Sequence, residues 1–310
     1  MVRQLLRVFK RRLFPDWNGS ERARTAEIER LRRRIVDLEA EIGRQLALAD
    51  AAAVNAILHS TPESYFECDF NGVRLLLPRD TLRTMTHCLQ SRSETPLRIE
   101  VEAAHSDWLR DKLRPGDTFL DVGAATGAMS LPFALSIPGI RAIAFEPSRT
   151  VNRRLRETLL RNGVDSVEVR DEAVSDHCGT TSFAEVGFDT TGKTPFYPET
   201  SAIANRLIDP VHLAATYDVP VTTLDHFFAG RTDEAAVRSV KIDVEGFEIH
   251  VLQGGAGFLG RVQPHLAIDI HRNPFAEGTT EKGVRACLEP IGYRFENIDH
   301  VLLCYPAGKR

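Results

Sequence analysis

Hydrophobic positions along this chain recur with three different periods. In the first stretch Val2, Leu5, Leu6, Phe9 and Leu13 fall at i, i+3, i+4, i+7 and i+11, with Arg3, Arg7, Lys10 and Arg11 set away from that stripe. The spacing predicts a basic amphipathic helix within residues 1–17, stopped at Pro15. Beyond Ser20, Ile28, Leu31, Ile35, Leu38 and Ile42 alternate steps of three and four, which predicts a coiled-coil helix over 20–58. Ile at a and Leu at d favour a parallel pair, and with Ile28 at a the g–e partners Glu27/Arg32 and Arg34/Glu39 are opposite in charge. From Asp117 onward short apolar runs alternate with helical ones. Thr118–Val122, Ala142–Phe145, Val167–Arg170, Ser239–Val244, Leu266–Ile270 and Val301–Cys304 read as strands; Met129–Ile137, Thr150–Arg161, Phe247–Gln253 and Thr280–Pro290 read as helices. That alternation predicts an α/β domain over 117–310, a parallel sheet with helices on both faces. Residues 60–116 read as a leading segment with a strand pair and helices. The run Gly187–Asp218 is too long for an idle connection and is the candidate substrate lid.

Charge divides along the same boundary. Residues 1–49 hold 12 Lys/Arg against 7 Asp/Glu, and the remainder 27 against 36. An acidic body excludes a broad nucleic-acid surface, which needs clustered cations to neutralise phosphates. The basic helix suits either an anionic membrane surface, contacted through residues 1–14, or a docking place on the protein's own body. Five cysteines, odd in number and far apart, lack any CxxC pair, and no apolar run is long enough to span a bilayer. Together these point to a reduced cytoplasmic protein, peripheral to the inner face of the membrane in the first of the two readings of the basic helix.

The segment KIDVEGFE, residues 241–248, continues a buried-strand pattern and then turns acidic. In an open α/β sheet ligands bind beyond the carboxyl ends of the strands, so Asp243 and Glu245 are expected on one face at a pocket. LAIDIH repeats the device with Asp269 and His271. Asp243, Glu245 and His271 are the candidate catalytic residues: His271 or Glu245 to accept a proton, Asp243 to hold an acceptor hydroxyl or a cationic donor. A rival reading is a divalent metal on Asp243, Glu245, Asp269 and His271; a plainer one makes the acids helix caps and His271 structural. Glu248, inside the following helix, reads as a structural or dipole-favoured residue. In FLDVGAATG, Asp121 ends a strand ahead of a turn flanked by Gly123 and Gly127, and AFEP ends the next strand in Glu146. An acid before the glycines disfavours a pyrophosphate and favours a cationic amino group, while Glu146 stands where ribose hydroxyls bind.

FLDVGAATG, AFEP, RNGV, RDEAVSDHCG, VPVTTLD, KIDVEGFEIHVLQGG and LAIDIH, in that order and spacing over about residues 100–305, resemble the FkbM family of methyltransferases. The resemblance implies a Rossmann-like seven-stranded sheet, S-adenosyl-L-methionine as cofactor, and O-methylation of hydroxyls on sugars, glycolipids or macrolide-type products. It implies that Asp121, Gly123 and Gly127 line the methionine end, Glu146 the ribose, and Asp171, Glu172 and Ala173 the adenine. The chain departs from the family at Ala125, where Asn is usual. The expected function is an O-methyltransferase acting on a hydroxylated small molecule or saccharide, as a homodimer paired through the coiled coil and without nucleic acid. The alternative is a non-catalytic scaffold of the same fold in a membrane-associated assembly. Removing residues 1–50 is expected to convert a dimer into a monomer that still binds the methyl donor; sedimentation of the truncated protein as a dimer would move the interface into the body.

Overall fold

The computed structural model describes residues 65–79, 89–91, 96–186 and 213–308, together with Arg30, Leu31, Arg34 and Thr81. The chain divides into two units, Met1–Ser60 and Thr61–Arg310. In the first, Arg30, Leu31 and Arg34 are helical and exposed. The rest of the predicted coiled coil, and the amphipathic helix, lie outside the described residues.

The second unit opens with a hairpin of β1 (Tyr65–Phe70) and β2 (Val73–Pro78). Asn71 and Gly72 turn it with φ of 48° and 79°, the left-handed pair that a two-residue hairpin needs. With β3 (Leu89–Ser91) and β4 (Leu97–Ile99) it forms a sheet ordered β2-β1-β4-β3. Then α1 (Ala103–Asp111), β5 (Thr118–Val122), α2 (Ser130–Ser136), β6 (Arg141–Phe145), α3 (Arg149–Arg161) and β7 (Val167–Arg170) follow. A small sheet ordered β8-β10-β9 is built from β8 (Ala173–Val174), β9 (Gly179–Val186) and β10 (Leu213–Thr222). The chain ends through α4 (Leu224–Phe228), β11 (Val237–Ile242), α5 (Glu248–Gly254), α6 (Ala256–Val262), β12 (His265–Asp269), α7 (Glu281–Leu288), β13 (Tyr293–Ile298) and β14 (Val301–Pro306).

The main sheet is seven-stranded and Rossmann-like, in the order β13-β14-β12-β11-β5-β6-β7. From β12 to β7 every pairing is parallel, and β14 runs antiparallel to both its neighbours. All five residues of β5 are buried, as a strand covered on both faces requires. Alternation then sorts its side chains. Leu120 and Val122 join Ile242, Leu266, Phe258 and Leu288 on one face, and Phe119 joins Leu109, Met129 and Phe133 on the other. The chain leaves β5 toward β6 and β7, then returns to place β11 and β12 on the opposite side. The order therefore reverses between β5 and β11, and a crevice opens there at the carboxyl ends of the strands.

Three expectations need adjustment. The strand expected to run to Val244 stops at Ile242, because Asp243 makes one last ladder bond to Val122 and the chain then enters a turn. The single helix expected near 247–253 is followed at Gly255 by a second, α6. Residues 213–218, expected to belong to the lid, are strand paired with β9, and the rest of that run, 187–212, lies outside the described residues. Among the described residues no helix is long and apolar enough to cross a membrane.

Candidate active site

A cavity of about 550 Å³ sits at the switch point, walled by the ends of β5, β6, β11 and β12, by the start of α1 and by the turn before β14. Its size falls in the range of small-molecule sites, roughly 300–1,000 Å³. On one side Asp121, the fourth residue of β5, is almost wholly buried. Ser130 donates to its Oδ2 at 2.6 Å, while Oδ1 has no hydrogen-bond partner among the described residues. Burial raises its pKa, and the Lys241 ammonium opposes that rise. Glu146, the residue after β6, accepts from the backbone N–H of Ala125 at 2.9 Å and of Ser148 at 2.7 Å. The Glu146 carboxylate thereby ties the turn after β5 to the start of α3.

The glycines of that turn answer to packing. A Cβ on Gly123, whose φ is +80°, would stand 1.8 Å from the carbonyl oxygen of Asp243; one on Gly127, φ +83°, would stand 2.6 Å from Leu155 of α3. Gly123 also lines the cavity, whereas Gly127 stands outside that lining and seats α3 against the turn. Ala125 holds φ 46°, a left-handed conformation that a short polar residue such as Asn adopts at less cost. Glu172 and Ala173 line the cavity as expected. Asp171 does not: Arg170 and Glu172 pair with each other on one side of the extended chain, and Asp171 between them is turned out to solvent.

Across the β5–β11 pairing from Asp121 lies a network of charge. Lys241, penultimate in β11, is buried with its ammonium 2.9 Å from Asp243 Oδ2 and 4.0 Å from Glu102 Oε2. Burial alone would lower its pKa; Asp243, Glu102 and Asp121 outweigh burial and keep it charged. Burial would raise the Glu102 carboxyl, but Lys241 and the 2.9 Å contact with His105 hold it down to about 2. Glu245 sits at φ 52°, strained backbone of the kind found at functional sites, followed by Gly246 at φ 102° packed on Pro274. That turn, rather than strand alternation, brings Glu245 to the cavity beside Asp243. Burial pushes Glu245 up to about 7 against the opposing charge of His271, with Asp243 adding to the rise.

His271, two residues past β12, is the hub. Its Nδ1 lies 2.9 Å from Glu248 Oε1, and its Nε2 lies 3.6 Å from Asp243 Oδ1 and 3.7 Å from Glu245 Oε2. Burial lowers its pKa, yet the bond to Glu248 and the charges of Asp243 and Glu245 raise it to about 9. Glu248 is fully buried and also accepts from the Gly246 N–H, so it orients the imidazole from behind as well as starting α5. Asp243, Glu245 and His271 are thus brought together as expected. Lys241, Glu102 and Glu248 were not anticipated. A lysine inside an apolar run was a visible signal for the first and an acid heading a helix for the third, whereas Glu102 reaches the site from a segment whose pattern carries no such mark.

A doubly wound sheet with acids at the ends of β5, β6 and β11 defines an α/β protein of the nucleoside-binding type. Residues 121–295, more than half the chain, match the methyltransferase FkbM domain, and the chain belongs to that family. It is 32% identical over 162 residues to 31-O-demethyl-FK506 methyltransferase FkbM of Streptomyces tacrolimicus, covering 46% of this chain and 61% of that protein. It is 36% identical over 73 residues to ribosomal RNA small subunit methyltransferase G of Mycolicibacterium vanbaalenii, covering 22% of this chain and 32% of that protein. The chain thus spans less than two thirds of the length of either relative. A solved methyltransferase FkbM from Methylobacillus flagellatus KT aligns at 15% identity and a TM-score of 0.41, over 83% of this chain and 59% of that one.

The family's methyl donor is S-adenosylmethionine. The cavity fits it on two counts. The unpartnered Oδ1 of Asp121 suits a cationic amino group, and the Glu146 carboxylate, fixed at the cavity wall by backbone donors, is an acceptor suited to hydroxyls. Glu172 and Ala173 extend the same wall.

Glu102→Gln tests the network. Glu102 is depressed from its usual 4.5 to about 2, so its contribution to stability is complete above 4.5 and is lost as pH falls toward 2. The variant is expected to be less stable at pH 7 by roughly 3 kcal/mol, as the size of that shift implies, and to lose less than wild type on acidification. Urea unfolding at a series of pH values measures this; parallel curves for the two proteins would show that Glu102 is not held by Lys241 and His105.

Proposed function

We propose that this protein is an S-adenosylmethionine-dependent O-methyltransferase whose acceptor is a hydroxyl of a saccharide, glycolipid or related natural product. The observation that carries the reading is the convergence of Asp243, Glu245 and the His271–Glu248 pair on one wall of the cavity, with the Glu245 carboxyl raised to about 7 and so suited to accept a proton. When bound, S-adenosylmethionine supplies an electrophilic methyl group on a sulfonium. Asp121 holds the donor's amino group and Glu146 its ribose, which leaves the acceptor to approach from the side of Asp243 and His271. As the acceptor oxygen gains the methyl carbon it must lose its proton; the Glu245 carboxylate, raised to about 7 and 3.7 Å from His271, is the group that would receive it, with the charged imidazole steadying the anion. Glu248 keeps the imidazole aligned throughout. The name of the Streptomyces tacrolimicus relative, which states an O-demethylated substrate, supports oxygen as the atom methylated.

Two substitutions separate donor binding from chemistry. Asp121→Asn is expected to weaken S-adenosylmethionine binding by about 1.5–3 kcal/mol in calorimetry, the scale of a hydrogen bond to a charged group. Unchanged affinity would place the donor elsewhere. His271→Ala is expected to bind the donor within a few-fold of wild type and to lose about 10²–10⁴ in turnover, the scale of an acid–base group, here Glu245, deprived of the charge beside it. Normal turnover in a variant that merely melts earlier would make His271 structural and overturn its assignment.

A further inference from the structure

The acceptor side of the cavity holds groups that converge without bonding one another. Asp243, Asp269 and His271 each offer one ligand atom, and these atoms lie within 4.8 Å of one another. His271 Nε2 stands 3.6 Å from Asp243 Oδ1, beyond hydrogen-bond reach. Asp269 is 7% exposed, and its Oδ1 has no hydrogen-bond partner among the described residues, with the exposed His300 ring 3.6 Å away. A buried carboxylate oxygen without a partner is costly, and three donor atoms at this separation suit one shared ion better than one another. Two neighbouring ligands on an octahedral ion at about 2.1 Å lie about 3 Å apart, and opposite ones about 4.2 Å, so small side-chain movements close the set.

The outer contacts point the same way. Glu248, fully buried, engages His271 Nδ1 at 2.9 Å, which leaves Nε2 as the ligating nitrogen. A carboxylate on the far nitrogen is the usual support of a metal-bound histidine. Lys241 occupies Asp243 Oδ2 at 2.9 Å, which leaves Oδ1 to face His271. Among the described residues the cavity wall carries Asp243, Glu245 and Asp269 beside Lys241 and His271, so a divalent ion that takes the place of the proton on His271 Nε2 adds positive charge where carboxylates converge. Two carboxylates and one imidazole suit a first-row divalent ion such as Mn²⁺ or Zn²⁺.

We propose that Asp243, Asp269 and His271 form a divalent-cation site on the acceptor wall of the cavity. In the methyl-transfer reading, on which only this consequence rests, the ion acidifies and orients the acceptor hydroxyl, and Glu245 takes its proton.

The full-length protein, stripped with chelator and dialysed, is titrated with Mn²⁺ while free Mn²⁺ is followed by electron paramagnetic resonance, and with Zn²⁺ against a chromophoric chelator. S-adenosylmethionine binding is measured separately on the same stripped protein. One ion per chain is expected, with Asp269→Asn and His271→Gln each weakening its binding at least tenfold while donor binding stays within a few-fold of wild type. Failure of both Mn²⁺ and Zn²⁺ to bind stoichiometrically in a protein that binds the donor overturns the cation site and leaves the methyltransferase reading intact. Ion binding that neither substitution weakens also overturns it, since the ion then sits elsewhere. Ion binding lost in the variants of a protein that never binds the donor supports the site and removes the methyl-transfer consequence instead.

Discussion

The buried ammonium of Lys241 is the constraint around which the crevice is organised. A lysine inside a central parallel strand loses its hydration, and without compensating charge it would discharge or unfold the strand end. Compensation comes from three separate parts of the chain: Asp243 two residues on, Glu102 at the entrance to α1, and Asp121 on the neighbouring strand β5. The same contacts pin the leading segment to the sheet and fix one oxygen of Asp243. They also place negative charge on both sides of the switch point. A cavity arranged this way is predisposed toward cationic ligands, and the methyl donor carries cations at its amino group and its sulfur.

Around that anchor, turns rather than strands aim the reacting groups. Glu245 and Ala125 both hold left-handed backbone, at φ 52° and 46°, and both sit at cavity edges between a strand and the following helix. A carboxylate fixes each: the Ala125 N–H is held by Glu146 from the next strand, and the peptide after Glu245 by Glu248 at the head of the following helix. Glu248 then carries the constraint to His271. Fixed carboxylates thus stand behind both strained turns of the crevice.

Much of this was legible before any coordinates. The alternating β and α periods predict the parallel sheet: Thr118–Val122 is observed at its expected ends because a strand buried on both faces must be nearly continuously apolar, and the half-buried edge strand Val167–Arg170 is observed at its expected ends too. The small sheet was not legible. β10 carries Pro220 and polar residues, and its pairing with β9 and β8 joins segments far apart in sequence, which no local period records.

The sequence by itself determined the classes of group at the crevice: Asp121, Glu146, Asp243, Asp269 and His271 interrupt apolar strands at their carboxyl ends, where an open sheet binds its ligands. Only the tertiary structure decided how they are used. It turned Asp171 to solvent and gave Gly127 to packing against Leu155. It placed Glu102 on Lys241 and put Glu248 behind His271. A residue's type and spacing record whether it belongs in a buried strand, a local property of the chain. Its partner depends on which distant segment folds beside it, and the strength of a charge depends on the distance to that partner and on the water excluded between them.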